Sequence, residues 1–81
     1  MERIGIYIER EEYEAFRTLV PDDSEFARSY GEWMERNAKG DMVVTVGPDE
    51  FADYCDKTGR RPSFYALTLC AAKKANDTTK M

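Results

Sequence analysis

The chain is written twice. A shift of 38 positions lays Tyr13 on Phe51, Phe16 on Tyr54 and Phe26 on Phe64. The same shift lays Ile4, Ile6 and Ile8 on Met42, Val44 and Val46, and Glu12 on Glu50. Each copy reads as a short alternating strand, a helix, a turn and a second helix. One strand with two helices cannot bury its own apolar face, so a second copy is needed to supply the other half of the core. The expectation is one α+β domain over residues 1–81. Its first repeat is residues 3–40, its second is residues 41–76, and a polar tail expected to fray follows at 77–81. No linker or low-complexity tract interrupts it.

The local patterns place the elements. Ile4-Gly5-Ile6-Tyr7-Ile8 alternates with the period of a half-buried strand, with the isoleucines inward. From Arg10 the period changes, and Tyr13, Phe16 and Val20 fall on one helical face. Glu11, Glu12 and Glu14 crowd the start of that helix, where its dipole favours negative charge. Pro21 stops it. Asp22 and Glu25 have the spacing of a capping box, with Ser24 as an alternative cap. A second helix then carries Phe26, Tyr30, Trp33 and Met34, with Gly31 marking a close helix approach and Gly40 a C-terminal stop. Met42 to Val46 is the second strand. Gly47-Pro48 opens the third helix, with its apolar stripe at Phe51, Tyr54 and Cys55 and its stop at Gly59. Arg60-Arg61-Pro62-Ser63 leads into the last helix. Phe64 to Ala72 is apolar except at Thr68, which suits a central helix.

Composition removes several function classes. With 42% hydrophobic and 35% charged residues, the chain is an ordinary globular sequence rather than a disordered one. A net charge of −4 disfavours a general polyanion binder. Residues 1–40 hold six basic and ten acidic groups, whereas residues 41–81 hold six of each, so an anion site belongs in the second half. Histidine is absent, which removes the commonest general base and metal ligand. Cys55 and Cys70 form no CxxC pair and lie in helical apolar patterns, so they read as buried thiols. The acidic run at Glu9, Glu11, Glu12 and Glu14 reads as a solvated helix start. Asp22-Asp23-Ser24-Glu25 lacks the ligand spacing of a calcium loop. No enzymatic set, metal site or cofactor is expected. No run reaches the ~20 apolar residues of a membrane span, and no secretory leader is visible, so a cytoplasmic location is the default.

In the second half, a short strand, Gly47-Pro48-Asp49-Glu50-Phe51, a helix ending at Gly59, Arg60-Arg61-Pro62-Ser63 and an apolar last helix follow in order. This unit resembles the ribbon-helix-helix family of Arc and MetJ type repressors. The first half follows the same outline with Pro21-Asp22-Asp23-Ser24 at its turn. The resemblance implies a duplicated β-α-α unit in one chain, with a two-stranded antiparallel ribbon, four helices and the second helices packed centrally. It also implies double-stranded DNA as the partner and a role in transcription regulation. In that family the ribbon enters the major groove and its outward side chains read base edges. Here that face offers Arg3, Gly5, Tyr7, Val43 and Thr45, of which Arg3, Tyr7 and Thr45 can hydrogen-bond. The family also holds phosphate at the N-terminus of its second helix. Arg60, Arg61 and Ser63 occupy that place in the second half, and Asp22, Asp23 and Glu25 occupy it in the first.

The residues also admit a plainer account. Arg60-Arg61 can be a solvated turn interacting with nearby carboxylates, Tyr7 an ordinary exposed strand tyrosine, Trp33 core, and Ser24 and Ser63 helix caps. The alternative to DNA is therefore a non-enzymatic protein-interaction module whose acidic first half meets a basic partner. Either a monomer or a homodimer fits.

Overall fold

A computed structural model describes residues 3–79. The chain runs β1 (Ile4–Tyr7), α1 (Arg10–Leu19), a 3-10 turn (Ser24–Ala27), α2 (Tyr30–Asn37), β2 (Met42–Thr45), α3 (Pro48–Thr58) and α4 (Phe64–Thr79). One core joins both repeats. Trp33, Phe16, Phe26, Phe51, Ile8, Leu67 and Val46 are its largest fully buried side chains. Its aromatic centre crosses the repeat boundary: Phe16 lies 5.6 Å from Phe51 between ring centroids, and Phe64 lies 6.2 Å from both Phe26 and Trp33. Burial of such rings is the main term favouring a domain this small.

The two strands are parallel, not the antiparallel ribbon expected. Ile4 pairs with Met42, Gly5 with Val43, Ile6 with Val44 and Tyr7 with Thr45. The register offset equals the sequence repeat, so equivalent residues of the two strands lie side by side. Parallel pairing requires a crossover of roughly a dozen residues or more, and the α1–α2 connection supplies one. Both core-facing rows then fall on one side. Ile6, Ile8, Val44 and Val46 are buried, and α4 packs against both strands while α2 packs against β1.

The close approach that permits this is made by two glycines. A Cβ on Gly5 would fall 2.8 Å from the Lys39 amide nitrogen, and one on Gly40 would meet the Arg3 carbonyl. Gly40 is therefore a strand-crossing residue rather than the stop of α2, which ends at Asn37 with Ala38 as its cap. Gly31 is exposed and meets nothing within 4 Å, so no helix approaches it.

The second helix of the first repeat is divided. Arg28 and Ser29 are extended, and the Ser29 hydroxyl accepts the Glu32 amide to start α2. The equivalent positions in the second repeat, Ala66 and Leu67, lie inside continuous α4. Alanine and leucine favour the helix, while serine offers its hydroxyl as a cap and favours a break. Pro48 opens α3, and Gly59 closes it in the left-handed conformation at φ 68°. The tail expected to fray continues α4 from Asp77 as far as Thr79; its last positions, Lys80 and Met81, lie outside the described residues.

Candidate functional site

The N-terminus of α4 is the place at which the sequence points to an anion, and the fold fills that place from within. The Asp23 carboxylate accepts the Glu25 amide through one oxygen at 2.9 Å and the Phe64 amide through the other at 2.8 Å. Asp23 therefore caps the 3-10 turn of the first repeat and α4 of the second together. The Ser63 hydroxyl accepts the Ala66 amide at 3.0 Å, so Ser63 is a helix cap. Two of the first amides of α4 are taken, and a carboxylate stands where a phosphate would bind. The expected capping box of Asp22 and Glu25 does not form; Asp23 has replaced Asp22.

Arg61 and Ser63 share a surface cleft of about 520 Å³ with Leu19, Val20, Pro21 and Asp22. Arg60 lies apart from this cleft. Its amide donates to the Cys55 carbonyl at 3.0 Å as α3 ends, and it lines a shallower depression beside Asp56. The remaining sequence-derived candidates lie on the sheet. Tyr7 and Thr45 are register partners on its outer face, with Tyr7 half-buried and Thr45 exposed. The Arg3 amide donates to the Asp41 carboxylate at 3.0 Å. Gly5, between Arg3 and Tyr7, lies under the Lys39 backbone. The outer face therefore presents no continuous reading surface.

Glu25 is the polar hub of the first repeat. It receives the Asn37 amide at 2.8 Å, Arg36 at 3.1 Å and Arg28 at 3.4 Å. Burial alone would push its carboxyl up, but the hydrogen bonds from Asn37, Arg36 and Arg28 outweigh that and hold it below the usual range. Two tyrosine hydroxyls brace the same region. Tyr13 donates to the Arg28 carbonyl and Tyr30 to the Ile8 carbonyl, each at 2.6 Å. Burial raises both phenol pKa values.

These contacts sort the charges. Arg17 pairs with Glu14, Arg28 with Glu25 and Glu32, and Arg36 with Glu25. Arg10 lies over the Tyr30 ring at 5.8 Å. Glu9, Glu11, Asp22 and Glu35 are exposed and form no ion pair among the described residues. In the second half a cleft of about 330 Å³ between α3 and α4 carries both signs, with Lys57 paired to Asp53 and Lys74 to Glu50. Cys70 lies on its floor. Burial first, then the nearby Glu50 and Cys55, push this thiol up to about 11. Burial also raises the Cys55 thiol.

Sequence reasoning missed three parts of this arrangement: the bridging role of Asp23, the Glu25 hub, and the bond from Lys74 to the Thr45 carbonyl. Each spans elements far apart in the chain, and only the cap preference of aspartate gave a local hint. Among the described residues, no cluster of three or more His, Cys, Asp or Glu side chains is placed to hold a metal, and no helix is long and apolar enough to cross a membrane. Compared with family models, curated proteins and solved structures, the chain matches none of them.

Proposed function

We propose that this protein is a non-enzymatic interaction module that captures a basic partner protein through the acidic surface of its first repeat. The observation that carries this reading is the excess of carboxylates in residues 1–40, ten against six basic groups, of which Arg17, Arg28 and Arg36 are engaged in internal pairs and Arg3, Arg10 and Lys39 are exposed. Among the described residues, Glu9, Glu11, Asp22 and Glu35 face solvent with no ion-pair partner. Unpaired carboxylates on one unit give a field that steers a cationic partner.

The DNA reading drawn from the ribbon-helix-helix resemblance has less support. Its ribbon must be antiparallel, and these strands are parallel. Its phosphate seat at α4 is held by Asp23, and Arg61 shares a cleft with Asp22. Arg3 lies beside an acidic Asp41.

Two titrations by fluorescence anisotropy test the proposal, one with a labelled lysine-rich peptide and one with labelled mixed-sequence duplex DNA. Each is run at about 50 mM and about 200 mM salt. The peptide is expected to bind, to weaken with salt, and to weaken again when Glu9, Glu11 and Glu35 become glutamine. DNA is expected not to bind at tens of micromolar. DNA binding with a steep salt slope that Arg60→Ala and Arg61→Ala reduce, together with no peptide binding, reverses the assignment.

A further inference from the structure

We propose that β2 is a self-pairing edge at which two copies of this chain join antiparallel into a four-stranded sheet. The inference begins with the hydrogen-bond pattern of the parallel pair. The Met42 amide donates to the Arg3 carbonyl and the Val46 amide to the Tyr7 carbonyl. Parallel ladders alternate, so Met42, Val44 and Val46 turn their backbone groups toward β1, and Val43 and Thr45 turn theirs away from it. Among the described residues no strand pairs with that side; α4 reaches it through the Lys74 side chain at the Thr45 carbonyl, and Val43 is 47% exposed. An edge with open N–H and C=O groups is a template for another strand. A lone two-stranded sheet is also marginal by itself.

The occupant follows from which groups are open and which are already taken. Around a two-fold axis at Val43, Val43 faces the second copy's Val43, and each amide can donate to the other's carbonyl. Two residues on, Thr45 faces the second copy's Asp41. The Asp41 amide cannot donate across to Thr45, because it already donates to its own Arg3 carbonyl at 2.8 Å. The carbonyl this would leave unfilled is that of Thr45, and it is the one that accepts the Lys74 ammonium. The single mismatch in the self-paired edge is thus compensated within each chain. A general peptide strand has no reason to lack that one donor.

Sedimentation velocity on the whole chain at about 10 μM and about 500 μM tests the proposal. The average mass is expected to rise toward twice the monomer mass at the higher concentration. Val43→Pro removes only an outward-facing amide, a change that edge strands tolerate. This variant is expected to remain monomeric at both concentrations with an unchanged far-ultraviolet circular dichroism spectrum. Val43→Asp and Val43→Lys each place like charges opposite one another and are expected to stay monomeric alone. Mixing the two is expected to restore a dimer, a result that misfolding would not give. A wild-type chain that stays monomeric at about 500 μM overturns the inference. So does a Val43→Pro variant that dimerises as wild type does, or a folded Asp and Lys pair that does not associate.

Discussion

The Asp23 carboxylate accepts the Phe64 amide at 2.8 Å across 41 residues of sequence. This bond ties the turn of the first repeat to the last helix of the second, and the other Asp23 oxygen holds the Glu25 amide. Replacing Asp23 by alanine strips both amides of their acceptor and is expected to cost about 1–3 kcal/mol. Asp23→Asn keeps one acceptor oxygen and should fall between alanine and wild type. Urea denaturation measures this; an alanine variant indistinguishable from wild type would show that the bridge contributes nothing.

Glu25 sets a pH dependence. Its carboxyl is held below the ordinary range in the folded state. A depressed folded pKa gives stability that is fully present above the unfolded pKa, about 4.3, and lost as pH falls through the folded value. Wild type and Glu25→Gln should therefore differ by a constant amount between about pH 7 and pH 5, and converge at lower pH. Denaturant titrations at each pH provide the comparison. A gap that persists unchanged at pH 2 contradicts the assignment.

The glycines separate by position. Gly5→Ala and Gly40→Ala force a methyl group into the opposing backbone, and each is expected to cost about 1–3 kcal/mol or more. Gly31→Ala enters open space on α2 and is expected to stabilise by about 0.5–1 kcal/mol. Thermal melts of the three variants should shift in opposite directions, and a destabilising Gly31→Ala would mean that an unseen neighbour covers it.

The thiols should be silent. Cys55 and Cys70 are buried, and the Cys70 thiol is pushed up to about 11. Against an ordinary thiol value of 9.0, its thiolate fraction falls by roughly a hundredfold near neutral pH, before access is considered. A thiol-specific chromogenic reagent at about pH 8 should label neither cysteine until urea opens the fold. Labelling of the native protein within minutes would place Cys70 outside the core.

Much of the structure was legible in the sequence because its signals are local. The 3.6 and 2.0 periods placed the strands and the stripe residues Tyr13, Phe16, Phe51 and Cys55. Pro21, Pro48 and Gly59 punctuate the helices through their own backbone geometry. The repeat showed that Phe26 and Phe64 hold equivalent places, and both join one core. The candidate site was less legible. Arg61 and Ser63 lie in the turn that the pattern marked, but the group that governs this turn comes from the other repeat.

The sequence by itself determined both strands, α1, α3, the start of α4 and the inward-facing set, because period and cap chemistry act between residues a few positions apart. The tertiary structure alone decided the direction in which the strands pair. Ile4 to Ile8 alternates identically in a parallel or an antiparallel sheet, and only the path of the α1–α2 crossover chooses between them. It also decided that Asp23, not Asp22, caps the turn, and that its second oxygen reaches Phe64. A carboxylate goes to the amides that the packed helices leave open, and those amides are brought to it only once Phe26, Trp33 and Phe64 close the core.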